Sequence, residues 1–174
     1  MGRCSGVHPE LSASYGHSVV VLARVNAEER QALRAQLSDY LGEFAEMEGV
    51  EVETADDGTP VYRWFDHYWR DEHRLPFFIE AAGTAVGFCL IRVIDDGWNV
   101  AEFAICRERR REGLGRAAVG AIASAAEKAG ASHLRADVHE WNERAFSFWT
   151  SCGFLPVVAA GGIVSTRLTL NTRA

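Results

Sequence analysis

Lysine is almost missing from this chain of 174 residues. Lys128 is the only one, so arginine supplies the rest of the 18 cationic side chains. We read that as a bias of composition and not as a functional signal. Acids outnumber cations and leave a formal charge of −6, which argues against the net basic face that nonspecific nucleic-acid binding requires. Cysteine is scarce and scattered: Cys4, Cys89, Cys106 and Cys152 have no metal-ligand spacing. Free thiols, no metal centre and a cytoplasmic setting are expected, since no signal peptide precedes them. No apolar run is long enough to cross a membrane. The opening "MGRCSG" has Gly6 where a myristoylation signal needs Ser or Thr. There is no internal repeat and no interdomain linker. At 48% hydrophobic, the chain can build a sizeable core. A polar, aperiodic tail over 1–17 followed by a single domain over 18–174 is expected.

The pattern of what is present predicts a mixed α/β order. "SVVVLARV" (Ser18–Val25) reads as a buried strand. Asn26 with Glu29 resembles a capping box, followed by an apolar helical stripe of Leu33, Leu37, Tyr40, Leu41 and Phe44. A short helix is expected near Trp64–Trp69. "PFFIEAAGTAVGFCLIRVI" predicts two strands with a turn near Gly83, and "WNVAEFAIC" a third. A helix follows Gly113 and ends at Gly130. "SHLRADVHE" reads as a strand, Asn142–Cys152 as a helix, and "FLPVV" with "GIVSTRLTL" as a closing pair. The expected fold is a mixed, mostly antiparallel central sheet flanked by helices.

The most informative stretch is "RRREGLGRA" (Arg109–Ala117). A helix N-terminus leaves backbone N–H groups unpaired and carries partial positive charge. Glycines let a ligand approach that backbone closely. The combination suits an anion such as phosphate, with Arg110, Arg111 and Arg116 as nearby donors. No Gly-Lys-Ser/Thr is present, which excludes a Walker loop. The dinucleotide fingerprint is matched literally by Gly113-Leu-Gly115-Arg-Ala-Ala118, with Asp137 about 20 residues on. However, the residues from Arg107 to Glu112, all charged, separate it from the preceding strand.

A third reading accounts for more of the sequence. Ile105, four residues, then "RREGLG" resembles the V-x-x-x-x-R-x-x-G-x-G/A signature of the GNAT acetyltransferases. "NERAFSFWTSCGF" (Asn142–Phe154) is similar to the N-x-x-A-x-x-F-Y-x-x-x-G-F pattern of that family's next helix. Two motifs in the right order are far more specific than either alone. The resemblance spans roughly residues 76–170. It implies acetyl-CoA as acyl donor, with its pyrophosphate on the amides of Gly113, Leu114 and Gly115. It places Asn142 and Trp149 beside the cofactor, although Asn142 also reads as a helix cap.

The resemblance also implies a reaction in which an amine attacks the thioester directly. A backbone N–H near Ala104 or Ile105 would stabilise the oxygen that takes up charge. Glu102 is the favoured base, and His139, with an unperturbed pKa of about 6.5, is the other catalytic candidate. The family's usual tyrosine is replaced by Trp149, whose indole can pack or hydrogen-bond but is no acid at neutral pH. Either the thiolate leaves without a side-chain acid, or another group such as Cys152 serves, or the chain binds acyl-CoA without turnover.

For the acceptor, "VYRWFDHYWRDEH" (Val61–His73) sets Tyr62, Trp64, Phe65, Tyr68 and Trp69 beside Asp66, Asp71 and Glu72, and Glu140 lies past the "ADV" strand. Aromatic faces with carboxylates suit a cationic small-molecule amine. Polyamines, aminosugars and a basic peptide end all fit. A homodimer is left open. The rivals are a non-catalytic acyl-CoA sensor and a nicotinamide oxidoreductase.

Overall fold

The structure is a computed structural model that describes residues 11–15, 18–49 and 51–171. The chain runs through β1 (Leu11–Tyr15), β2 (Ser18–Arg24) and α1 (Arg30–Glu48). A single 3-10 turn, Phe65–Trp69, then precedes β3 (Arg74–Ala81), β4 (Thr84–Ile94) and β5 (Gly97–Ile105). A second short turn, Arg107–Arg109, leads into α2 (Leu114–Lys128). The chain ends with β6 (His133–His139), α3 (Glu143–Ser151), β7 (Leu155–Ala160) and β8 (Ile163–Thr169).

The strands form one eight-stranded sheet in the order β1-β2-β3-β4-β5-β6-β8-β7. Every pairing is antiparallel except β5 with β6. The expected mixed, mostly antiparallel sheet therefore forms. A doubly wound dinucleotide fold needs parallel strands throughout its core, so that reading fails. The tail expectation fails over part of its range. Leu11–Tyr15 pairs with β2, from Leu11↔Leu22 to Tyr15↔Ser18. The open edge of β2 offers N–H and C=O groups that a short segment can satisfy without any hydrophobic pattern of its own. Residues 1–10 and 16–17 of that range lie outside the described residues.

Local chemistry explains the helices. Before α1 the capping box is reciprocal: the Glu29 amide donates to Asn26 Oδ1 at 3.0 Å, and the Asn26 amide donates to Glu29 Oε2 at 3.0 Å. Leu33 and Leu37 of the apolar stripe are fully buried, each adding about 1.5–3 kcal/mol of hydrophobic stabilisation. They pack with Phe65, Tyr68, Phe78, Phe88 and Leu90 on one face of the sheet. The other face carries α2 and α3, whose Leu114, Ile122 and Trp149 pack on Ile79, Ile91 and Ile105.

Strands β4 and β5 lie close together at Gly87. A Cβ placed there would lie 2.1 Å from the Ala104 carbonyl oxygen. Backbone cannot swing away as a side chain can, so Gly87→Ala is expected to lose about 1–3 kcal/mol of stability. Chemical denaturation of the variant would show it. An unchanged midpoint would mean that the two strands are not held this close.

Candidate active site

The site begins with a defect in the sheet. The β4–β5 register slips between Leu90↔Glu102 and Ile91↔Val100, which leaves Ala101 as an extra residue on β5. A bulge of this kind bends its strand and increases the local twist. On its other edge β5 pairs with β6 only from Gly97↔His133 to Val100↔Ala136. Beyond Val100 the two strands part, while residues up to Ile105 stay bound to β4. The Cys106 amide donates to the Val86 carbonyl at 2.8 Å. Antiparallel alternation then turns the Ala104 amide toward β4 and the Ile105 amide into the open gap. Of the two amides expected to meet a developing oxyanion, only Ile105 is placed for it. Its carbonyl shares that direction and accepts from Arg110 Nε at 2.8 Å.

Glu102 follows the bulge, half-buried, on the α1 face of β5. Burial pushes its carboxyl up to about 7, against the opposing pull of hydrogen bonds from the Tyr40 and Tyr62 phenols. Burial, reinforced by the Glu102 charge, raises both phenols above their ordinary value, so they stay protonated as fixed donors. Burial also pushes Tyr68 up to about 12. The Trp69 indole N–H is buried without a hydrogen-bond partner among the described residues. Glu102 opens into a cleft of about 560 Å³ shared with Arg63, Trp64, Arg74, Arg92 and Asn99.

The glycine loop lies just past the end of β5. Arg111 and Gly113 take left-handed backbone, φ 69° and 81°. Gly113 caps α2 with no side-chain hydrogen bond, and the first helical bond runs from the Ala117 amide to the Gly113 carbonyl. No described residue accepts from the amides of Gly113, Leu114 and Gly115. A Cβ on Gly113 would meet nothing within 4 Å, so the turn is open on its outer side. On Gly115 it would come within 3.2 Å of the Phe148 ring, so this glycine also permits the packing of α2 on α3. These residues fit a pyrophosphate cradle.

The arginines around the loop divide by role. Arg111 is exposed. Arg110 is spent on structure: besides the Ile105 carbonyl it holds Glu43 of α1, Nη2 to Oε2 at 2.8 Å. Arg116 donates to the carbonyl and hydroxyl of Ser151 at the end of α3. Neither was legible as a tie between elements, because the partners lie more than thirty residues away in sequence.

Several expected positions need correction. Trp149 is built into the core. Its ring is buried among Phe103, Phe148 and Phe154, at centroid distances of 5.5, 5.2 and 4.9 Å. Its helical spacing marked a core face, and core is what it builds. Trp149→Ala should therefore cost about 3–5 kcal/mol in an unfolding titration, where a side chain that only contacted a ligand would leave stability unchanged. His139 and Glu140 do not join Glu102. They line a separate cavity of about 380 Å³ with Glu143 and Phe146, and the His139 ring lies 5.4 Å from Phe44 and 5.5 Å from Trp141.

Asp66 is turned toward Arg30, Arg34 and Arg70 and borders a smaller pocket of about 190 Å³. It does not face the cleft. Tyr68 and Trp69 pack in the α1-side core, and of that aromatic run Tyr62 and Trp64 reach the cleft, Trp64 beneath Arg63 and Arg74. Asn142 caps α3, its Oδ1 accepting from the Ala145 amide at 3.0 Å. Burial raises the Cys152 thiol, which makes it a weaker acid than free cysteine. Cys89, Cys106 and Cys152 are free thiols, and no His, Cys, Asp or Glu cluster among the described residues could hold a metal. No helix among those residues is long and apolar enough to cross a membrane. Arg63, Arg74 and Arg92 were not singled out from sequence, while Tyr40 reads as part of a helical stripe and Tyr62 as part of the aromatic segment. Arg92 comes beside Glu102 only through the β4–β5 register, which no single strand carries.

A gap beside a bulge, a half-buried glutamate and a bare helix N-terminus fit an acyl-transfer site in class. The "Acetyltransferase (GNAT) family" model matches residues 34–154, most of the chain. The chain belongs to this family and is an acyltransferase. An acetyltransferase from Thermus thermophilus shares the fold at TM-score 0.70 and 21% identity, covering 87% of this chain and 97% of that one. The ribosomal-protein-S18-alanine N-acetyltransferase from Escherichia coli aligns at TM-score 0.64 and 18% identity, over 89% and 96%. The spermidine N-acetyltransferase from Vibrio cholerae, in complex with CoA and spermine, aligns at TM-score 0.68 and 12% identity, over 88% and 96%. Among curated protein sequences there is no significant match.

Proposed function

We propose that this protein transfers an acetyl group from acetyl-CoA to a primary amine of a small molecule, by direct attack with both substrates bound. The observation that carries the reading is Glu102, a half-buried carboxyl that titrates near pH 7 at the point where β5 leaves β6. The acceptors named for two of the structural neighbours, spermidine and a ribosomal-protein alanine, are also amines.

Acetyl-CoA supplies an activated acetyl thioester. The amides of Gly113, Leu114 and Gly115 bind its pyrophosphate, with Arg111 as an added donor. Asn142 orders the start of α3 beside that path. Glu102 takes a proton from the incoming ammonium, directly or through water, because its pKa lies near the operating pH. The Ile105 amide donates to the carbonyl oxygen as charge builds there. Burial keeps Tyr40 and Tyr62 neutral, and their hydroxyls hold the Glu102 carboxylate in place. With Trp149 in the core, no side chain at that helix position supplies a proton to the departing thiolate.

Calorimetric titration with acetyl-CoA, with NAD as control, followed by acceptor-dependent thiol release, tests the reading. Saturable binding of acetyl-CoA alone, plus thiol release with an amine, is expected. Binding without release from any amine would leave a sensor, not an enzyme.

A further inference from the structure

We propose that the acceptor is a small amine that also carries an oxyanion, a carboxylate or a phosphate ester, and that Arg92, with Arg63 and Arg74, receives it. The inference rests on the reading that the amine docks at Glu102.

The placement follows from register. Arg74 pairs with Arg92 across β3 and β4, and Arg92 with Asn99 across β4 and β5. Directly opposed residues share a face of the sheet. Glu102 pairs with Leu90, two residues along β4 from Arg92, so both side chains point into the same cleft about 7 Å apart along the strand. That spacing suits an amine and an oxyanion carried on one small molecule.

The cleft is less acidic than the chain: Arg63, Arg74 and Arg92 match Glu53, Glu102 and Asp137 in its lining. The protein carries a formal −6, yet no carboxylate comes within ion-pair distance of Arg63 or Arg92 among the described residues. Arg74 has Asp71 at 3.4 Å, on the rim side. The acids that could offset these cations are largely engaged. Asp137 is held by Arg135 at 2.9 Å, by the Ser165 hydroxyl at 2.6 Å and by the Asn99 amide at 3.3 Å. Glu53 lies exposed at the edge. Asp66, the carboxylate that would draw a cation, is taken up by arginines in another pocket. A polyamine reaching past Glu102 would meet like charge at Arg63, Arg74 and Arg92. A carboxylate or phosphate would meet guanidinium forks that match it geometrically.

The test compares paired amines at saturating acetyl-CoA by thiol release from the full chain. The pairs are L-amino acids against their amides and glucosamine 6-phosphate against glucosamine, with spermidine as the cationic arm. The anionic member is expected to exceed its neutral partner in kcat/KM by at least about tenfold. The pair that shows the gap identifies carboxylate or phosphate. Arg92→Gln should raise KM for the anionic member and not for its neutral partner, and Arg92→Lys should restore part of the difference. Equal use of both members, preference for spermidine, or a KM rise shared by both would overturn the inference and leave the acetyltransferase reading standing. Thiol release from no amine, with acetyl-CoA still bound, would overturn that reading and this inference with it.

Discussion

Glu102→Gln lowers kcat by about 10²–10⁴-fold, the usual contribution of a positioned base, and leaves acetyl-CoA affinity unchanged. Glutamine keeps the shape of the side chain but cannot accept the ammonium proton. In the native protein kcat/KM rises with pH through about 7, the value to which burial pushes this carboxyl. The variant loses that limb. Linkage supplies an independent check. A carboxyl whose folded pKa is raised holds its proton in the native state after the unfolded chain has released it. Glu102 therefore costs no stability below its unfolded value of 4.5, and an increasing amount as pH rises from there to about 7. The melting temperature of Glu102→Gln should gain on that of the native protein across this window and hold the gain above it. An unaltered pH profile of turnover, or a flat difference in melting temperature, would show an ordinary surface carboxylate.

Gly113→Val lowers acetyl-CoA affinity by about 100-fold or more. Two amide–phosphate hydrogen bonds, at about 1.5 kcal/mol each, account for that factor. The position has room for a side chain but not the backbone for one: nothing lies within 4 Å, yet φ is +81°. A β-branched residue there strains the turn by about 1–3 kcal/mol and pulls the loop out of shape. Gly130 provides a matched control. Its φ is +82°, it too has nothing within 4 Å, and it lies past the far end of α2, about 22 Å away. Gly130→Val should cost similar stability and leave acetyl-CoA affinity intact. If both variants bound equally well in calorimetry, the loop would be a helix start that only resembles a phosphate cradle.

Features written in local chemistry were the legible ones. Asn26 and Glu29 face each other across three residues, so a capping box needs no tertiary contact to be read. Asn142 and the Ala145 amide are another such pair. Gly113 announces its turn because few other residues adopt its backbone. The packing of Trp149 was not legible, for the opposite reason. Motif position put it beside a ligand, whereas the three rings around it come from β5, from α3 itself and from the residue after Gly153. Asp66 looked like a cation site beside aromatic residues until Arg30 and Arg34 of α1, distant in sequence, were brought against it.

The sequence by itself determined the strands after β1, the helices, the glycine loop and the family, because each depends on periodicity or on residues a few positions apart. Tertiary structure alone decided the site. The bulge at Ala101 parts β5 from β6, the pairing of β3, β4 and β5 sets arginines on the same face as Glu102, and α1 brings Tyr40 over it. The Glu102 pKa is likewise a property of burial, which no stretch of sequence carries, since desolvation depends on what the rest of the chain folds against the carboxyl.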